Sequence, residues 1–142
     1  MTDIRIRKTD WATDAGSLSA VRRAVFIEEQ HVPEELEWDE HDAGSTHFLA
    51  EGADGSPVGC VRLLPTGQVS RLSVLEPRRT EGIGRRLLDA ALAEAVAAGL
   101  REVFLHAQTH ATSFYEAAGF SVDGGIFIEA GIPHRLMVKP LP

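Results

Sequence analysis

Apolar and polar positions change period several times along the chain, and each change marks an element. Ile4 and Ile6 alternate with Arg5 and Arg7, the period of a short strand with one wet face. Thr13, Asp14 and Ser17 offer N-cap oxygens ahead of Leu18, Val21, Val25 and Phe26 at helical spacing, which predicts a helix to about Glu29. Residues 31–46, broken by Pro33 and Gly44, read as a loop. Two short apolar runs at 47–50 and 58–64 around a turn at 53–56 read as a hairpin, and 68–75 follows the turn 65–67 as a third strand. Leu87, Leu88, Ala91, Leu92, Ala95 and Val96 make a broad apolar stripe on an alanine-rich helix that Gly99 stops. A strand at 103–105, a short helix at 111–118 ended by Gly119, and strands at 126–128 and 134–139 complete the order β α β β β α β α β β.

The strand–helix–strand unit over 68–107 requires a crossover, so its two strands are expected to be parallel neighbours. The upstream hairpins are antiparallel. The expected fold is therefore α/β, with a mixed α+β sheet that is mostly antiparallel and has helices on both faces. At 142 residues the chain suits one domain, taken as 1–142. Its 44% hydrophobic content supplies a core without a disulfide framework, which its one cysteine excludes. Cys60 sits among Val58, Val61 and Leu63, which predicts a buried, inert thiol, with Arg62 expected on the opposite face. No stretch approaches the ~20 apolar residues that span a bilayer, and the first twenty residues lack a secretory h-region. The expectation is a cytoplasmic protein without membrane association.

A net charge of −7 argues against a nucleic-acid partner, but the charge is local. Eight of the 21 acidic residues lie between Glu28 and Asp42 with no Lys or Arg among them. Such a block reads either as a solvated acidic loop or as a negative rim that collects a cationic substrate. The opposite bias, Arg78, Arg79, Arg85 and Arg86, surrounds Gly82 and Gly84 where a helix should begin. First-turn N–H groups lack internal partners and the helix dipole is positive there, so this corner suits an anion. Arg79 and Arg85 add forked donors. A P-loop would need Gly-Lys-Ser or Gly-Lys-Thr, and a dinucleotide fingerprint a third glycine in a tighter turn; neither is present.

Arg79-x-x-Gly82-x-Gly84 resembles the Gln/Arg-x-x-Gly-x-Gly/Ala motif of the GNAT superfamily of acyl-CoA-dependent N-acetyltransferases. Residues 105–120, with Phe114-Tyr115 and Gly119-Phe120, are similar to that family's following strand and helix. The segments 25–30, 32–34 and 129–134 resemble its ElaA/YjcF-like branch. The resemblance implies a GNAT-like sheet with one splayed parallel pair and acetyl-CoA as cosubstrate. It places the CoA pyrophosphate on the backbone of Arg79, Thr80, Glu81, Gly82, Ile83 and Gly84, with Arg85 flanking, and the pantetheine arm against backbone from about Leu72 to Val74. It makes the Val74 N–H an oxyanion donor, Tyr115 the partner of the departing thiolate, and Gln108 a contact to the CoA arm where many members have Asn. The acceptor would be a small-molecule or peptide amine.

A general base must take a proton from the ammonium. Glu28, Glu40, His41, His106, Glu129 and His134 are candidates, and His134, with an imidazole's near-neutral reference pKa, is chosen. No metal site is expected, since His110 and Tyr115 are five apart and not on one helical face. A non-catalytic acyl-CoA-binding module is the alternative function, and a homodimer is left open.

Overall fold

The computed structural model describes residues 3–142. β1 (Arg5–Thr9), β2 (Thr46–Glu51), β3 (Pro57–Leu63) and β4 (Val69–Val74) form an antiparallel sheet in that order. β5 (Glu102–Gln108), β6 (Ser121–Glu129) and β7 (Ile132–Pro140) form a second antiparallel sheet in the order β5–β7–β6. One parallel bridge, Gln68 to Phe104, joins the two. The crossover strands are thus neighbours only where they begin. Gly67 allows this contact: its φ is +96°, a Cβ there would lie 2.8 Å from the Glu102 carbonyl oxygen, and its own oxygen accepts from Phe104 N at 3.1 Å. Beyond the bridge β4 and β5 part.

The parting has a local cause in β4. Cys60 pairs with Ser73 but Arg62 pairs with Ser70, so Arg71 and Leu72 together oppose Val61. Arg71 takes φ +57°, the extra residue of a β-bulge that bends the strand.

α1 (Trp11–Arg22) runs on into a π-helical turn, Arg23–Glu29. Its cap is Asp10, which accepts from Thr13 N at 2.8 Å, and not the Thr13, Asp14 or Ser17 that the apolar spacing suggested. Asp14 instead binds β1: it accepts from Arg7 Nη1 at 2.8 Å and from the Thr9 hydroxyl, while Arg7 Nε also reaches Glu51 at 2.8 Å. α3 (Ile83–Ala97) buries Ile83, Leu87, Leu88, Ala91 and Ala95 against Phe48, Ala50, Val61 and Leu63 of the first sheet. α1 covers the other face, where Leu18 and Val21 meet Leu49 and Cys60. Alternation along β2 therefore feeds two layers of helix. Cys60 is buried as expected and burial pushes its thiol up to about 11, but Arg62, two residues along, shares its face and turns toward the elements that α1 and residues 34–42 supply.

The 31–46 segment departs from a plain loop. It contains the short helix α2 (Glu34–Glu37), and its acids are neither a solvated block nor a free rim. Arg22, 1% exposed, donates to Glu37 Oε2 at 2.8 Å, to the Glu37 carbonyl at 2.8 Å and to Asp42 Oδ1 at 2.7 Å. Its guanidinium lies between the rings of Trp11 and Trp38, 5.3 and 5.2 Å from their centroids. Arg62 donates to Asp39 at 2.7 Å and Asp42 at 3.0 Å. Arg71 donates to the Glu37 carbonyl at 3.0 Å and Asp39 at 3.2 Å, and its Nε lies 2.9 Å from Glu37 Oε2. Three arginines from α1, β3 and β4 thus neutralise three of the eight acids and pin the segment to the sheet. Arg23 and Arg79 pair two more, Glu34 and Glu29. The strand expected at 126–128 is the end of the nine-residue β6, which continues through Gly124 and Gly125.

Candidate active site

The gap between β4 and β5 is a cleft of about 830 Å³. Gln68 and the residues of β4 from Val69 to Val74 form one wall, and Leu105, His106 and Gln108 of β5 the other. The β3–β4 register decides which way the backbone of Val74 points. Leu75 N donates to Val58 O at 2.9 Å, which makes Gly59 and Val74 a pair that exchanges no hydrogen bonds. The Val74 N–H and C=O therefore point away from β3, toward the cleft. The carbonyl accepts from Arg79 Nε at 2.9 Å.

After Val74 the chain makes a 3-10 turn, Glu76–Glu81, and enters α3 through Gly82 at φ +77°. No side chain caps α3, so the N–H groups of its first turn open outward. Nothing lies within 4 Å of a Cβ placed on Gly82, so the glycine is required by its left-handed backbone. Gly84 packs beside Val74 and Phe114, 3.8 and 3.7 Å from a Cβ built there, which brings the helix start against the end of β4. Ile83 is fully buried and offers only backbone, whereas Thr80 is exposed.

The arginines around the turn are partly occupied. Arg79 forms a two-pronged ion pair with Glu29. Arg78 binds Glu81 at 2.7 Å, and Arg85 binds Asp89 at 3.0 Å along the helix. Arg79 so becomes a strap from the end of the π-helical turn to the end of β4. A second strap joins the same turn to β5, where Gln108 Nε2 donates to Gln30 Oε1 at 2.8 Å. Glu29 and Gln30 are not among the residues that the resemblance assigns to the site, although both fall within the 25–30 segment that carries it.

Tyr115 lies in α4 (Thr112–Glu116) and lines the cleft. Its ring packs edge-on to Phe114 and Phe120, with centroids 5.1 and 5.9 Å away. Burial pushes its phenol up to about 12, so it is a neutral donor throughout the physiological range.

At the other side, one face of the second sheet carries His106 and Gln108 of β5, His134 of β7, and Phe127 and Glu129 of β6. Gln108 pairs with His134, and His134 with Phe127. His106 Nδ1 donates to Glu129 Oε1 at 3.0 Å, and His134 Nδ1 donates to the Ile132 carbonyl at 2.7 Å. His134 is buried at its edge of the cleft and stacks on Phe127. Of the base candidates, His41, His106, Glu129 and His134 line the cleft; Glu28 and Glu40 do not. No group of His, Cys, Asp and Glu among the described residues could hold a metal ion, and no helix there is long and apolar enough to cross a membrane.

Comparison with known proteins gives the family. The model of the acetyltransferase (GNAT) domain matches residues 12–141, and the chain belongs to that family. The N-acetyltransferase YjcF of Bacillus subtilis, itself uncharacterized, is 37% identical over 84% of this chain and 87% of its own. The crystal structure of an acyl-CoA N-acyltransferase from Pseudomonas aeruginosa superposes with a TM-score of 0.85 at 28% identity, covering 96% of this chain and 99% of that one. Escherichia coli ElaA does so with a TM-score of 0.85 at 26% identity, over 96% and 99%. The chain is an acyl-CoA-dependent acetyltransferase whose family acts on amine acceptors.

Proposed function

We propose that the whole chain, 1–142, works as one catalytic domain that moves an acetyl group from acetyl-CoA to a primary amine by direct attack in a ternary complex. The observation that most supports this reading is the uncapped α3 start, with left-handed Gly82, set against the β4 end whose Val74 N–H turns into the cleft. The backbone of residues 79–84 receives the pyrophosphate, with Arg85 at its flank, and the pantetheine arm lies along Leu72 to Val74 and reaches Gln108.

His134 takes a proton from the ammonium, and the free amine attacks the thioester carbon. The Val74 N–H stabilises the oxyanion of the tetrahedral intermediate. The carbon–sulfur bond then breaks, and the second nitrogen proton ends on the CoA sulfur. A phenol at about 12 holds its proton more tightly than a thiol whose reference value is about 8.5, so Tyr115 works mainly as a hydrogen-bond donor to the developing sulfur charge. The net reaction yields amide, CoA thiol and one proton.

A melting shift with acetyl-CoA and an acetylated product from a panel of primary amines test the reading together. Tyr115→Phe is expected to keep the melting shift and to lower turnover about a hundredfold, the scale on which losing one hydrogen-bond donor to a developing negative charge is felt. Unchanged turnover in that variant removes Tyr115 from the mechanism; no melting shift in the unmodified protein removes acetyl-CoA.

A further inference from the structure

The cleft is lined by three arginines, Arg62, Arg71 and Arg79, and by four carboxylates, Glu29, Glu37, Asp39 and Glu129. The first three acids are met by those arginines. Glu129 is not: its ion-pair partners among the described residues are the imidazoles of His106 and His134. The uncompensated negative charge of the cleft is therefore at Glu129.

The tautomers sharpen this. The Ile132 carbonyl can only accept, so His134 carries a proton on Nδ1, and a neutral ring then presents the lone pair of Nε2. That nitrogen faces Glu129 Oε2 at 3.8 Å, too far for a hydrogen bond. Two acceptors thus converge on one gap, where the Glu129 side chain is half exposed and the imidazole nearly buried. The other carboxylate oxygen is fixed by His106 Nδ1 at 3.0 Å, and Phe127 packs against both rings, stacked on His134 and edge-on to His106.

We propose that Glu129 Oε2 and His134 Nε2 jointly receive the primary ammonium of the acceptor, with His106 as the positioning residue that holds the carboxylate. A primary ammonium has three N–H bonds and can satisfy both acceptors at once; a hydroxyl has one. The acceptor class that follows is a cation whose amine end needs no neighbouring anion, because each cleft arginine is already paired with a carboxylate. The proposal rests on the acetyl-transfer reading for its consequence, though the contact itself needs no cosubstrate.

The experiment is a titration of the full chain, labelled with nitrogen-15 at histidine, with n-butylammonium and separately with n-butanol, with and without CoA. The expected result is a shift of the His134 Nε2 resonance by the ammonium and not by the alcohol. Glu129→Gln should weaken that response about tenfold or more, as expected for loss of a charged hydrogen-bond partner. His106→Phe should weaken it too, and His106→Asn, which keeps an N–H donor, should restore it. Equal responses to both probes, no response through the millimolar range, or an undiminished response in a folded Glu129→Gln protein overturns the proposal. A missing CoA melting shift in the same samples would sink the cosubstrate reading instead.

Discussion

The arginine–carboxylate cluster beneath residues 34–42 and the histidine–glutamate corner of β5, β6 and β7 border the same cleft, and both are built from ionisable side chains. In the first, Arg22, Arg62 and Arg71 face Glu37, Asp39 and Asp42, charge balances within the cluster, and Arg22 finds partners around its whole planar fork. In the second, the ion-pair partners of Glu129 among the described residues are imidazoles, and one carboxylate oxygen and one ring nitrogen face each other as acceptors. A cluster whose charges balance can fix a chain segment and leaves little for a ligand, although the buried Arg71 Nε makes no aligned hydrogen bond even with Glu37 Oε2 beside it. A cluster left short of donors contributes little to folding and is available for chemistry. The two should therefore respond to mutation in opposite currencies, stability on one side and turnover on the other.

Arg22→Ala breaks the comparison most severely. It takes from the buried Glu37 and Asp42 one of the two arginines that each faces, leaving Arg71 and Arg62 as their remaining partners, and removes the cation between Trp11 and Trp38. The expected loss is about 3–5 kcal/mol, the usual result when one partner of a buried pair is deleted. Urea denaturation should show it as a lower midpoint. A loss below about 1 kcal/mol would mean that the acidic segment is held by something other than this arginine.

That outcome bears on what a sequence can reveal. The apolar stripe of α3, the alternation of β2 and the glycine pair at 82–84 are local patterns, and each is legible because its cause lies within a few residues. The acid run is local too, but its counter-charges come from positions 22, 62 and 71 on three different elements, so its neutralisation is not visible in one dimension. The same holds for the cap of α1. Thr13 and Asp14 have the right chemistry, but Asp14 is claimed by Arg7 and Thr9, and the start falls back to Asp10. Arg71 hides most completely, since a non-glycine residue at positive φ carries no compositional mark. Among the proposed site residues, the turn at 79–84 and Tyr115 stand out by motif spacing, and the fold sets Arg79 and Tyr115 on the cleft. The straps Arg79–Glu29 and Gln108–Gln30, by contrast, join residues 50 and 78 apart.

Gly82→Ala probes the anion corner with a smaller effect. The φ of +77° costs a residue with a Cβ about 1–2 kcal/mol, while no neighbour obstructs the added methyl. Thermal denaturation should therefore show a fall of a few degrees, and acetyl-CoA should protect the variant less than it protects the unmodified protein. A full melting shift with acetyl-CoA would show that the first turn of α3 does not depend on this conformation to hold the ligand.

The mildest perturbation is acid, and it separates two kinds of ion pair. Hydrogen bonds from Arg7 and Thr9 hold the Asp14 carboxyl below its ordinary value. Burial works to raise the Asp42 carboxyl, but Arg22 and Arg62 outweigh it and the result is also a lowered value. Groups lowered on folding contribute stability that is present above their unfolded pKa, near 4, and is lost as pH falls through that value toward the folded one. Glu37 has the opposite sign: burial raises its carboxyl against the pull of Arg71 and Arg22, so the folded state takes up a proton there before the unfolded state does. Descending from neutrality, stability should decline as His47, whose imidazole burial holds below its ordinary value, takes its proton first in the open chain, should be held up as Glu37 takes its own in the fold, and should then fall below about pH 4 as Asp14 and Asp42 protonate. Asp14→Asn should lower stability near neutrality by about 0.5–1.5 kcal/mol, the scale of one hydrogen-bonded contact, and flatten the acid limb while leaving the Glu37 limb in place. Stability curves measured from pH 7 to 3 check both limbs. A decline from neutrality that stays unbroken when His47→Asn removes the imidazole would mean that Glu37 is ionised more readily in the fold than in the open chain, the arginines around it more than offsetting its burial.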